Sequence, residues 1–400
     1  FQAEDGIRDL VRSRGLGDVY KRQILMSQEG VHMEGIVDIT PEKAGFRPDV
    51  LEILNSHLDH YLRNGVLIGA GYLLSRRGKI FAHKTLGKLR KGGDSPDLSP
   101  DSIRNMFSIA KVFTATAILQ LIEKGKLYLN QPVMTIIPEF DTDLHKTISI
   151  FHLLTHTHGL RPVGGYFMEP YPSAHDEGME DSGWIRSILT GPLTTRTGRE
   201  YSYGSHGFCI LGEIVKRLSG MEFDEYVSRH IFRPLGMENT FYQVPEDRLQ
   251  NVCYIHDFEK EWLASPLHRR GAPPAASNLY STMADVWKFG QMMLNKGIFN
   301  GNRILSRKSV EAMSRNQLKN VPAFHWGQQI ESFAQGFGWA LTADATLASP
   351  GTFHHEGWGR SALYIDPAEE MVVFYMTMDL GPWTPETIVN PRNIIWSGLV

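Results

Sequence analysis

The sequence predicts an α/β chain of the α+β kind, in which one antiparallel sheet is built from both ends, flanked by helices, and interrupted by a mostly helical insertion. Three observations predict it. The run Leu67 to Leu74, the turn-like Arg76-Arg77-Gly78 and the run Lys79 to Ala82 read as a hairpin. Ser361 to Ile365, the turn Asp366 to Glu369 and Met371 to Met376 read the same way near the other end, and two such hairpins can share one sheet. Between them the apolar spacing is helical over Ser108 to Lys124, Phe208 to Ser219, Phe223 to Phe232 and Met283 to Asn295, each stopping at a Gly, Pro or polar terminator. An amphipathic segment from Pro48 to Leu62 precedes the first hairpin. The expected division is a sheet domain over 40–110 and 285–400 with a mostly helical domain over 111–284, without internal repeats or low-complexity tracts.

Composition excludes several classes of function. Lys+Arg 41 against Asp+Glu 44, a formal charge of -3, gives no basic field for a nucleic-acid backbone. Cys209 and Cys253 lack metal-type spacing and are too few for a disulfide framework. No apolar run is long enough to cross a bilayer, and the opening residues lack a signal-peptide pattern, which favours a cytoplasmic over a secreted location. The polar, unpatterned stretch over 1–25 resembles translated sequencing-adaptor read-through, so natural sequence is expected from Met26 or Met33; a natural disordered leader is the alternative.

Chemistry centres first on Ser108-Ile-Ala-Lys111, the only S-x-x-K in the chain, at the start of a helix apolar on nearly every side. A serine there meets free backbone N–H groups and the positive end of the helix dipole, and a lysine three residues on returns to the same face. Burial disfavours the ammonium form, so Lys111 can accept the proton of Ser108 as the hydroxyl attacks. An N-cap serine followed by a snorkelling lysine is the ordinary alternative, since about one such match is expected by chance in a chain this long.

Tyr201-Ser202-Tyr203 is the second candidate: a phenol near a lysine and a helix start can shuttle a proton to a leaving group, although aromatic packing at a loop end explains most isolated Tyr-x-Tyr. The third is His355-Glu356-Gly357, followed by Trp358 and Gly359, where glycines at a sheet edge let a ligand approach backbone N–H groups. His152, His156 and His158 invite a metal reading, but Leu153 stands where a zinc-protease pattern needs Glu, and satisfied structural histidines are expected instead.

Taken together, the three candidates resemble, in order and separation, the S-x-x-K, Tyr-x-Asn and Lys-Thr-Gly motifs of the serine β-lactamase and penicillin-binding superfamily. Supporting stretches resemble its class C group: Glu123 to Leu127 with Asn130-Gln131-Pro132, Ile148 to Leu160, Pro234 to Met237 with Asn239-Thr240, and Tyr280 to Asp285. The resemblance implies a β-lactamase/transpeptidase-like fold and an acyl-enzyme mechanism needing neither cofactor nor metal. It implies Ser108 as nucleophile, Lys111 as its base, Tyr201 as second proton carrier and His355 in the sheet-edge motif. The N–H groups of Ser108 and Trp358 would form the oxyanion hole, with Tyr203, Gly357 and Trp358 lining the substrate site.

Two departures shape the expected substrate. Tyr203 stands where β-lactamases carry Asn, and His355 replaces the lysine that attracts a substrate carboxylate. Both features resemble family VIII carboxylesterases, and a small-molecule ester, short-chain or activated, is the expected partner. A β-lactamase or D-amino-acid peptidase is the alternative enzyme, and an inactive binding or sensor protein on the same scaffold is the alternative from another class. The sequence leaves the oligomeric state open.

Overall fold

The structure, a computed structural model, describes residues 32–160, 183–189, 192–264, 272–325, 328–341, 346–379, 381 and 384–400. The stretch over 1–25 read as a leader lies outside the described residues.

Apolar runs from both ends of the chain form one sheet. Its strands are β1 (His32–Glu34), β2 (Leu67–Arg76), β3 (Lys79–Gly87), β4 (Ala340–Leu341), β5 (Phe353–Glu356), β6 (Ser361–Asp366) and β7 (Met371–Asp379). They lie in the order β1-β3-β2-β7-β6-β5-β4, every pair antiparallel. The two expected hairpins are therefore joined: β2 of the first pairs with β7 of the second, Leu73 opposite Phe374 and Gly71 opposite Met376.

Both faces of the sheet are covered, which is why β2 and β7 read as nearly continuous apolar runs. On one face Tyr72, Leu74, Val373 and Tyr375 pack with Val50, Leu54 and Leu58 of α1 (Pro48–Arg63) and Ile395 and Trp396 of the C-terminal helix Pro385–Ser397. Buried Tyr72 keeps its hydroxyl satisfied by donating to Asn55 Oδ1 at 2.8 Å. On the other face Leu73, Val372, Phe374 and Met376 join a larger core with α2 (Ala110–Glu123), α3 (His206–Ser219) and α4 (Met283–Leu294).

Helix α2 runs through the middle of that core, with every residue from Ala110 to Leu121 buried. An apolar surface all round allows no other position. The expected helix from Ser108 is refined locally: Phe107–Ile109 forms a tight 3-10 turn that leads into α2. Likewise α3 begins at His206, two residues before its apolar periodicity, because a first helical turn needs no apolar residue to form. The segment expected over Phe223 to Phe232 is an α-turn, Phe223–Val227, continued by a wider π-turn, Ser228–Phe232. No helix among the described residues is long and apolar enough to cross a membrane.

Candidate active site

The segment before α2 is held in a strained shape that presents Ser108. Phe107 has φ +46°, a left-handed conformation costing a bulky residue about 1–3 kcal/mol, and it persists only where neighbours enforce it. The enforcement is visible: Phe107 N–H donates to Asn105 Oδ1 at 2.8 Å, and Met106 N–H donates to Leu279 O at 2.6 Å. Ser108 is left half-buried, while Lys111, one turn further, is fully buried at 0 % exposure. Lys111 Nζ lies 3.1 Å from Ser108 Oγ, 3.3 Å from Ser205 Oγ and 2.9 Å from Ala276 O. The expected nucleophile and base are thus within hydrogen-bond reach.

The second motif requires a correction. Tyr201 was expected beside this pair, but it belongs to a short strand, Tyr201–Ser202, whose N–H at Tyr201 donates to Pro322 O. Its ring is buried with Leu318 and Ala323 and stacks on Phe333 at 4.6 Å. After Ser202 the chain turns, and Tyr203, expected only to line the substrate site, brings its ring to 5.0 Å from Lys111 Nζ. The motif that faces Lys111 is therefore Tyr203-Gly204-Ser205, with Ser205 at its third position, where the pattern expected from the resemblance has Asn. One sequence signal favours this register: it ends on a hydrogen-bonding side chain at the start of α3, whereas the register from Tyr201 ends on an aromatic one.

The third motif closes over the residues before Ser108. A Cβ on Gly357 would stand 2.4 Å from Met106 O, and one on Gly359 would stand 2.5 Å from Phe107 Cε2, so the loop reaches this segment only without side chains there. Trp358, 50 % exposed, sets its ring edge-on to Phe107 at 5.4 Å. Underneath, a buried ion pair binds the parts: Arg104 donates to Glu259 at 2.9 Å and to the carbonyls of Cys253 and Gly359, fixing the loop that carries Trp358 to the strand leading into Ser108. Nothing in the sequence pattern marked Arg104 or Glu259, whose separation of 155 residues only folding removes.

His355 lies on the same side, its ring 6.3 Å from that of Tyr203. Its Nδ1 is 2.9 Å from Glu356 O, and a carbonyl only accepts, so Nδ1 carries the proton and Nε2 the lone pair. Burial, then the neighbouring Lys111, push its pKa down to about 3. His355 is therefore an uncharged ring, where the pattern expected from the resemblance has a lysine.

The three histidines of the candidate metal cluster are engaged by the main chain. His152 Nδ1 accepts from Ser149 N–H, His156 Nδ1 from Gly204 N–H and His158 Nδ1 from Leu160 N–H. A cavity of ≈ 550 Å³ opens beside them, lined by His152, Thr157, Gly198, Arg315, Leu318 and Val321, and Ser108 is not part of its wall.

A sequence model of the beta-lactamase family matches residues 54–393. The chain belongs to the beta-lactamase family. Within it, the chain is 24% identical over 385 residues to a putative D-alanyl-D-alanine carboxypeptidase of Escherichia coli K12, covering 86% of this chain and 85% of that one. Among solved structures, a family VIII carboxylesterase superposes with TM-score 0.70 at 20% identity, covering 89% of this chain and 99% of that one. A class C beta-lactamase does so with TM-score 0.70 at 15% identity, covering 88% and 97%. This beta-lactamase-family chain therefore shares its fold with hydrolases of more than one specificity.

Its buried imidazoles make stability sensitive to acid. Burial lowers the pKa of His83 and His325 to about 4 and of His158 and His355 to about 3, against 6.5 in the unfolded chain. Below pH 6.5 the unfolded chain takes up protons the folded one refuses, so this stabilisation is complete above 6.5 and is lost as pH falls through about 4 for His83 and His325 and about 3 for His158 and His355. Each such ring contributes a slope of up to about 1.4 kcal/mol per pH unit. Urea unfolding at pH 7.5 and 5.5 should show a loss of several kcal/mol at the lower pH; equal stabilities would mean the rings are not buried neutral.

Proposed function

We propose that this protein cleaves carboxylic esters, short-chain or activated, through an acyl-enzyme on Ser108. Lys111 takes the hydroxyl proton as Ser108 attacks the carbonyl carbon. The main-chain N–H groups of Ser108 and Trp358 receive the negative charge that develops on the carbonyl oxygen. Tyr203 passes the proton to the departing alkoxide, and in the second half-reaction takes one from the water that releases the acid. The chemistry needs no cofactor.

The observation that carries the ester reading is the neutral ring of His355. A substrate whose recognition depends on a free carboxylate, as in a β-lactam or a peptide C-terminus, finds no cation there. An ester also offers an alkoxide that leaves more readily than an amine, which lightens the demand on the second motif, where Ser205 replaces the family's Asn. The likeness to a family VIII carboxylesterase supports this reading. The likeness to a putative D-alanyl-D-alanine carboxypeptidase keeps a peptidase as the second reading. Ser108, Lys111 and Tyr203 held together speak against an inactive sensor, which has no chemical use for all three.

Two experiments test the proposal. With p-nitrophenyl butyrate, nitrocefin and a D-alanyl-D-alanine peptide in parallel, kcat/KM for the ester should exceed the other two by at least about 100-fold, roughly 2.7 kcal/mol of transition-state preference. His355→Lys should narrow that gap by improving KM for the carboxylate-bearing substrates; a wild-type preference for the peptide or for nitrocefin would overturn the ester reading. Separately, Tyr203→Phe should lower kcat by about 100-fold or more, the usual worth of a positioned proton carrier, while Tyr201→Phe stays within about threefold of wild type. The reverse ranking would return the role to Tyr201.

A further inference from the structure

The loop that carries Tyr203 has an unusual neighbour in His156. The N–H preceding Tyr203, that of Ser202, donates to His156 O at 2.9 Å, and the N–H following it, that of Gly204, donates to His156 Nδ1 at 3.2 Å. The imidazole lies against the Tyr203 ring itself, centroids 4.6 Å apart at 35°, and against Phe208 of α3 at 5.0 Å on another side. One residue thus grips Tyr203 from before, from after and across its ring. His156 is itself at φ +56°, a left-handed conformation uncommon among non-glycine residues though more frequent for histidine than for most, with its carbonyl and its ring both bonded to the same loop.

From this geometry we infer that His156 is a positioning residue for the Tyr203 phenol: its uncharged ring, with Nδ1 as acceptor, sets the loop conformation in which Tyr203 meets Lys111. The direction of the Gly204 hydrogen bond fixes the tautomer, because a backbone N–H can only donate. The same bond would be lost on protonation, and burial, with His158, Lys111 and His355 nearby, holds the ring well below the usual histidine range. The structural reading of this histidine is thereby extended: it stabilises a loop, and the loop it stabilises is the one carrying the proposed proton carrier. The inference rests on the role proposed above for Tyr203, and the test separates the two.

The test compares His156→Asn with His156→Leu. Asparagine places its Oδ1 near where the imidazole Nδ1 stands and tolerates positive φ, whereas leucine leaves the Gly204 N–H buried without that acceptor. With p-nitrophenyl butyrate, His156→Leu is expected to lower kcat roughly 30-fold with KM changed less than about threefold, and His156→Asn to recover most of it. Should His156→Leu not fold, His156→Gln, whose acceptor sits one bond further out, makes the same comparison. In the Tyr203→Phe background the His156 substitution should add little further loss, because a residue that acts through Tyr203 has nothing left to position. If Tyr203→Phe alone is silent, the role of Tyr203 fails and this inference falls with it. If Tyr203→Phe is costly but folded His156→Leu or His156→Gln turns over like wild type, or Asn recovers nothing, or the losses multiply in the double variant, the inference alone is overturned.

Discussion

A buried amine facing a half-buried hydroxyl is the constraint around which this protein is organised. Lys111 has no exposure, so an ammonium there is costly to bury, and α2, buried from Ala110 to Leu121, carries it into the core. The strained turn at Phe107 then decides what the amine meets. With Asn105 holding Phe107 N–H and the glycines of the third motif packed onto Met106 and Phe107, the hydroxyl of Ser108 stands within hydrogen-bond reach of Lys111 Nζ. Strain at Phe107, burial of Lys111 and the close approach of Gly357 are three costs with one result.

The supporting structure reaches far along the chain. Arg104 and Glu259 form a buried ion pair that is weak evidence for stability, since desolvation offsets much of its attraction, yet losing one partner would leave the other charge stranded. Its effect is geometric: the guanidinium also holds the Gly359 carbonyl, so the strand entering the Ser108 turn and the loop bearing Trp358 are tied through one side chain. His156 holds the segment that carries Tyr203 in a comparable way, with neutral hydrogen bonds in place of a charge. A site assembled from three separate segments thus depends on residues that never touch a substrate.

Much of this was legible in the sequence, and the reasons for success and failure are physical. The two hairpins were visible because short, nearly continuous apolar runs broken by turn residues mark strands covered on both faces, and the pairing of β2 with β7 followed from their need to share a core. The Ser108 and Lys111 pair was legible because helical spacing fixes which side chains meet. Tyr201 was misplaced for the converse reason: a strand's period of two puts Tyr201 and Tyr203 on equal terms, and only the turn at Gly204 and the true start of α3 at His206 separate them. Polar first turns leave no periodic trace. Arg104, Glu259 and the grip of His156 were invisible because each acts across a tertiary contact that no local pattern encodes.

The account stands or falls on where the acyl group goes. Rapid-quench mass spectrometry of the protein mixed with p-nitrophenyl butyrate, followed by peptide mapping, should find one butyryl group on the peptide containing Ser108, and none on the same peptide from Ser108→Ala. Turnover of the ester with the acyl group on another residue, or with Ser108→Ala as active as wild type, would contradict it.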